Sequence, residues 1–211
     1  MTDSIISHFN PFPTLISERL VLRRAYLTDT DDLYICMSNP NVCRYETWTA
    51  HSSVIDTLGY VNSLMIKHDE GVCTEWIIEN KKTQRAIGMI NVHDISERNR
   101  TCEMGFWLAE DCWGMGFASE AARRIEDFMF GQTGINKLIC MCAAQNLQSE
   151  KTIRNLGMRQ EGTLRKHILI KGAYNDIKLY SVLREEYELE QAMNAGSRRL
   201  DSGREKSWHK T

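Results

Sequence analysis

Apolar residues recur at helical spacing in several parts of the chain, and alternate or run together, as strands do, in others. Ile55, Leu58, Val61, Leu64 and Met65 follow Ser52 and Ser53, which predicts a helix capped by one of those serines. Ala118, Ala121, Ala122, Ile125, Phe128 and Met129, with Glu120, Arg123, Arg124 and Asp127 between them, predict a second, longer amphipathic helix ending near Gly131. Thr28 and Asp31 open a shorter one through Leu33 and Met37, stopped before Pro40. A further helix is expected over about Ser149 to Leu156, closed by Gly157.

Strands are predicted at Leu20–Arg24, at Thr74–Ile78 and Ala86–Val92 around the polar turn Asn80 to Thr83, and at Thr101–Leu108. The run Leu138 to Ala144 is apolar on both faces and reads as an interior strand. Two more, near Leu164–Ile170 and Ile177–Leu183, flank the turn Lys171 to Asn175. The order is strand, two helices, three strands, helix, strand, helix, two strands. That is a mixed α/β layer with one crossover helix in its middle. Residues 1–16 show no periodicity and read as an N-terminal arm. The domain is expected over 17–190, and 191–211 as a disordered tail.

Composition narrows the classes. The 211 residues carry 26 Lys plus Arg against 28 Asp plus Glu, without the basic excess of a duplex-binding protein. From Gly196 onward five basic residues face two acidic ones, so the body is the more acidic part. The longest apolar run, seven residues, is far below the ~20 that span a bilayer. Met1 to Ile6 lacks the basic and apolar regions of a secretory signal. A cytoplasmic location is expected, with no nucleic acid or membrane partner. The seven cysteines include no Cys-x-x-Cys pair, and the six histidines add no metal-ligand spacing. The cysteines are therefore expected to be reduced packing residues, and no metal is expected; a thiol redox role is the remote rival.

Chemistry concentrates at Trp113-Gly114-Met115-Gly116-Phe117-Ala118-Ser119, between a strand and the long helix. Two glycines one residue apart let a backbone approach a ligand, and the helix's first amides make a concavity for phosphate oxygens. By itself this also describes an ordinary strand-to-helix turn. A third glycine or a Lys-Ser/Thr, which would mark a dinucleotide or P-loop site, is missing.

The rest of the chain gives the turn its context. Ser17-Glu18-Arg19-Leu20-Val21-Leu22-Arg23, Glu103-Met104-Gly105-Phe106-Trp107-Leu108 and Trp113 to Ala122 occur in order. Asn146-x-x-Ser149, Leu156-Gly157-Met158 and Lys171-Gly172-x-Tyr174-x-Asp176 follow them. In these motifs the chain from Phe12 to Tyr187 resembles the GNAT superfamily of acyl-CoA-dependent N-acyltransferases, in the Rim-type branch that includes ribosomal-protein N-acetyltransferases. One departure is Trp113, where the superfamily's glycine motif usually opens with Gln or Arg.

The resemblance implies a mostly antiparallel central sheet with helices on both faces and a splayed pair of parallel strands holding acyl-CoA. It implies acetyl transfer from acetyl-CoA, as co-substrate, to a primary amine by direct attack in a ternary complex. The acceptor is either a protein N-terminus, such as that of a ribosomal protein, or a small amine. The alternative is a non-catalytic acyl-CoA-binding or sensor module on the same fold. Homodimers are common on family grounds.

Within that frame Glu103 is the expected base: a carboxylate inside a strand has its pKa raised by desolvation. A structural pairing with Arg98 or Arg100 is the competing role. Phe106, Trp107, Leu108 and Ala109 are expected to support the pantetheine arm and the oxyanion through their backbone, with Gly105 easing a bulge. Residues 113–119 are expected to hold the pyrophosphate. Asn146 is expected to bond the pantetheine, and Ser149 to lie near the sulfur as the acid that assists the departing thiolate; either is also a candidate helix cap. Tyr174 is a second candidate donor. Lys151 and Arg154 are candidate nucleotide-phosphate contacts or solvated helix charges. His93 is read as structural.

Overall fold

A computed structural model describes residues 4–205. The strands are β1 (Leu15–Ile16), β2 (Leu20–Arg23), β3 (Glu75–Asn80), β4 (Ala86–Ser96), β5 (Thr101–Leu108), β6 (Lys137–Ala143), β7 (Arg159–Ile170) and β8 (Ala173–Leu183). The helices are α1 (Thr30–Met37), α2 (Val54–Asp69), α3 (Phe117–Gln132), α4 (Leu147–Asn155) and α5 (Arg184–Glu205). The strands form one sheet in the order β1-β2-β3-β4-β5-β6-β8-β7, antiparallel throughout except for β5 beside β6. This is the expected mixed α/β architecture, with helices flanking the sheet.

Strand alternation divides the helices between the faces. Trp76, Ile90 and Phe106 lie opposite one another across β3, β4 and β5, and Trp76 meets Phe128 of α3 with ring centroids 5.9 Å apart. The other face carries Met89, whose sulfur accepts a hydrogen bond from Tyr60 of α2. That face also bears His93, Glu103, Gly105 and Trp107. As periodicity predicts, α3 buries Ala121, Ala122, Ile125, Phe128 and Met129. Ser53 caps α2 in a box with Asp56. Its buried stripe is Thr57, Val61, Leu64 and His68, whereas Ile55 and Leu58, expected in the core, are exposed. Helix α1 starts at Thr30 after a 3-10 turn, because Asp29 is drawn into a bidentate pair with Arg23 at 2.7 and 2.8 Å.

Structure extends into both terminal stretches. Residues 4–16 form a docked segment rather than a mere lead-in: Ile5 and Phe9 are fully buried, and Phe9 lies 5.6 Å from both Trp76 and Phe128. The Trp76 indole also donates to the Pro13 carbonyl. Each buried side chain of this size contributes about 1.5–3 kcal/mol, ample to order an arm that lacks periodicity. At the other end, α5 continues past position 190 to Glu205, within the stretch expected as a tail, and 206–211 lie outside the described residues. Tyr187 anchors its start by stacking on Phe130 at 4.9 Å and donating to Asp127. Among the described residues, no helix is long and apolar enough to cross a membrane. All seven cysteines are free and buried, and burial pushes the thiols of Cys36 and Cys102 up to about 12, which suppresses the reactive thiolate.

Candidate active site

Parallel strands β5 and β6 pair over only three positions, Thr101 to Glu103 against Lys137 to Ile139. Both strands then run on, to Leu108 and Ala143, without pairing, so the sheet opens into a slot. At the vertex lies a cavity of about 170 Å³. Glu103, Gly105 and His93 reach it from the α1–α2 face, and Cys140, Cys142, Ser149 and Ile153 from the other. The opening therefore connects the two faces, and a donor and an acceptor can meet inside it from opposite sides.

Glu103 is mostly buried, and that burial raises its carboxyl above the ordinary range; the His93 charge opposes the rise and Asp94 adds to it. The arginine pairing weighed for Glu103 is not made: Arg100 turns instead to Glu97 and to the Gly134 and Thr133 carbonyls. The bulge expected at Gly105 is displaced as well. Register between β4 and β5 is unbroken from Gly88–Leu108 to His93–Glu103 and shifts only beyond His93. Gly105 has a different use, since a Cβ there would stand 2.9 Å from the Asn91 side chain and 3.6 Å from His93 Nε2.

Register also selects among residues 106–109. The Ala109 amide is spent on the Ile87 carbonyl at 2.8 Å, and by alternation Trp107 also points its backbone at β4. The Trp107 ring packs on Trp48 at 6.0 Å. Phe106 and Leu108 thus present their backbone to the slot, and the Leu108 carbonyl accepts the Trp113 indole hydrogen at 2.9 Å. That bond gives Trp113, the departure from the expected glycine motif, a structural role tying the loop to the strand.

The loop itself is built from left-handed turns. Gly114 and Gly116 have φ of 73° and 82°, conformations that cost a residue with a Cβ about 1–2 kcal/mol. Gly116 is the N-cap of α3 with no side chain capping the helix, so the first-turn amides at Phe117, Ala118 and Ser119 are left for a ligand. The Phe117 ring is buried beneath Arg19, 4.5 Å from the guanidinium, which leaves only its backbone available. Arg19 also donates to the Met115 carbonyl and pairs with Glu120 at 2.6 Å, fixing loop and helix to β2.

Asn146 caps α4: its side-chain oxygen accepts the Ser149 amide at 3.1 Å. Both residues line the cavity. Tyr174 is exposed on the β7–β8 hairpin and is not among the cavity residues, and Lys151 points outward. Arg154 is committed to Glu150, which Lys178 and Tyr180 also hold; those hydrogen bonds bring the Glu150 carboxyl down to about 2.

One wall of the site escaped the sequence reading. Tyr45, Glu46 and Thr47, between α1 and α2, close the cavity together with Ile168, Ile170 and Ile177 of the hairpin. Lys171, in the two-residue tip with Gly172, latches hairpin to loop by donating to the Glu46 and Trp48 carbonyls. Burial raises the Glu46 carboxyl, with the Lys171 charge opposing it. The visible signal was the Lys-Gly pair, typical of a tight hairpin turn, but nothing in it pointed to residue 46.

The family model for the acetyltransferase (GNAT) domain matches residues 19–159. The N-acetyltransferase p20 of Bacillus licheniformis is 33% identical over 177 residues, covering 82% of this chain and 98% of that protein. The ribosomal-protein-serine acetyltransferase of Escherichia coli is 28% identical over 149 residues, covering 66% and 82%. A crystal structure of a GNAT-family acetyltransferase from Bacillus anthracis superposes with a TM-score of 0.74 at 24% identity, covering 82% of this chain and all of that one. The matched region runs from β2 through the splayed strands and α4, the elements that build the slot, and this chain belongs to the GNAT acetyltransferases.

Proposed function

We propose that the chain transfers the acetyl group of acetyl-CoA to the N-terminal α-amine of a protein, by direct attack within a ternary complex. The observation that carries this is the slot itself, open through the sheet with a desolvated carboxylate at its vertex. The pantetheine arm lies along β5 against the backbone of Phe106 and Leu108. The pyrophosphate sits on residues 113–119, held chiefly by amides of the loop and the first turn of α3. On the opposite face the amine gives up a proton to Glu103, directly or through water, and attacks the thioester carbon. The carbonyl oxygen takes the electron pair and is stabilised by a strand amide. The C–S bond then breaks as the nitrogen gives up its second proton, directly or through water, to the Ser149 oxygen, which hands its own hydroxyl proton to the departing sulfur, leaving a neutral amide, an intact serine and the CoA thiol.

The chain end of a protein suits the cavity better than a bulky amine does. About 170 Å³, walled in part by four isoleucines, admits an ammonium and a small side chain. Among the described residues two carboxyl groups, Glu46 and Glu103, line it, and no lysine or arginine does. The E. coli relative named for a ribosomal protein supports the same acceptor class.

The test is release of free CoA, followed by chromatography, with peptides bearing free N-termini compared against polyamines and amino sugars. Peptide-dependent release with mass addition at the N-terminus is expected. Release with small amines alone overturns the acceptor, and no amine-dependent release overturns the reaction. Glu46→Gln is expected to raise KM for the amine about tenfold at unchanged KM for acetyl-CoA, since it removes one charged partner worth about 1.5 kcal/mol. Gly116→Ala is expected to do the reverse, raising KM for acetyl-CoA about tenfold through strain at a left-handed position. Steady-state kinetics with each substrate varied checks both.

A further inference from the structure

A proton taken up by Glu103, a mostly buried carboxyl, has to reach solvent before the next turnover. We propose that His93 and Asp94 form the relay that carries it to solvent, an inference that rests on the reading of Glu103 as the base. His93 stands directly opposite Glu103 across β4 and β5, with Nε2 3.8 Å from Oε1. Its other nitrogen, Nδ1, lies 2.9 Å from Asp94 Oδ2. One ring nitrogen and one oxygen from each carboxyl group fall within 4.8 Å of one another. Side-chain exposure climbs along the row, from 15% at Glu103 to 41% at His93 and 82% at Asp94, so the row runs from the cavity to bulk water.

The backbone is shaped to make this row. Consecutive strand residues ordinarily point to opposite faces, which would carry Asp94 away from His93. Instead the ladder shifts just beyond His93, and Asp94 adopts a φ of 47°. A left-handed aspartate at a bulge is a local cost, of the kind that collects at functional sites. Gly105 contributes by omission at Asn91, its cross-strand partner, whose side-chain oxygen would stand only 2.9 Å from a Cβ there.

An ionised carboxylate only accepts hydrogen bonds, so Asp94 fixes the proton of neutral His93 on Nδ1 and leaves the Nε2 lone pair toward Glu103. Protonated Glu103 then gives its proton to Nε2, through a small rotation or one water, since 3.8 Å exceeds a direct bond. The imidazolium releases the Nδ1 proton beside Asp94 to solvent, and a ring flip or re-protonation restores the starting tautomer. The charged groups acting on Glu103 are His93 and Asp94 from β4; Glu46, beside Lys171, lines the same cavity, and Cys140 of β6 lines it from the opposite face. Of those lining the cavity, His93 is the only basic side chain among the described residues.

His93→Ala is the deciding variant. We expect kcat to fall about tenfold at unchanged KM for acetyl-CoA, and added imidazole to restore it in proportion to its concentration. Asp94→Asn should lower kcat less and move the acid limb of the pH profile. A reading independent of turnover is the His93 ring tautomer by NMR, with the proton of the neutral ring on Nδ1 in the wild type and shifted toward Nε2 in Asp94→Ala. Unchanged kcat in His93→Ala, a loss that imidazole does not restore, or a ring tautomer that Asp94→Ala leaves unchanged each overturns the relay. If Glu103→Gln is impaired while His93→Ala is not, the relay alone fails. A wild type that releases no CoA with any amine removes the proposed function and the relay together.

Discussion

Replacing Glu103 by Gln is expected to lower kcat on the order of 10²–10³-fold while KM for acetyl-CoA stays unchanged. The separation follows from the slot: Glu103 reaches the cavity from the α1–α2 face, whereas the groups proposed to hold acetyl-CoA lie along β5 and on α3 and α4. The pH dependence has a definite sign. Burial raises the Glu103 carboxyl, and the base is its ionised form. Activity therefore climbs with pH through a limb above the ordinary carboxylate range, and Glu103→Gln erases that limb along with most of the rate. The same raised pKa means that ionised Glu103 costs the fold stability at neutral pH. The glutamine variant is thus expected to be no less stable, and a rate loss cannot be assigned to unfolding. Chemical denaturation run beside the kinetics checks this. A variant that keeps the wild-type rate removes Glu103 as the base.

The largest expected effect on stability belongs to Glu126, a residue outside the slot. Its side chain on α3 is wholly buried, and Oε2 lies 3.2 Å from Arg123 while Oε1 has no hydrogen-bond partner. Burial pushes the carboxyl up to about 8, with Arg123 pulling it back and Glu190 of α5 and neighbouring Asp127 adding to the rise. Unfolded, the same group titrates near ~4.3. Its favourable contribution is therefore complete below about 4.3 and is lost as pH rises toward about 8, because the folded state must then ionise a buried group. Glu126→Gln keeps the shape and an acceptor for Arg123 but cannot ionise. It should be about 2–4 kcal/mol more stable than wild type at pH 8 and nearly equal at pH 4. In a chain of this size that corresponds to roughly 5–10 °C in Tm at the higher pH. Melting curves that differ equally at both pH values would count against the buried ionisation.

Much of the scaffold was legible because its signals are local. The apolar face of α3 and the two-sided apolarity of β6 set both elements before any tertiary contact is considered. Gly114 and Gly116 announced a tight turn, since few other residues adopt the left-handed conformations found there. Where long-range packing overrode the local pattern, the reading failed. Ile55 and Leu58 fit the helical stripe of α2 yet face solvent, because α2 turns Thr57 and His68 inward instead. Ile5 and Phe9 carry no period, but the gap beside Trp76 and Phe128 captures them.

The site divides along the same line. Sequence by itself, with the family resemblance it carries, singled out the candidates for the chemistry: Glu103 inside a strand, the glycine turn before α3, and Asn146 and Ser149 at the start of α4. Each is marked by residue type and near neighbours, and such marks survive without knowledge of the fold. Only the tertiary structure decided what these residues face. Register turned Phe106 and Leu108 toward the slot and Trp107 and Ala109 away from it. The shift beyond His93 aligned Asp94, His93 and Glu103, and the Lys171 tip carried Glu46 into the cavity wall. Strand pairing joins positions far apart in the chain, and a slip of one residue reverses every side chain, so no local pattern encodes which groups meet.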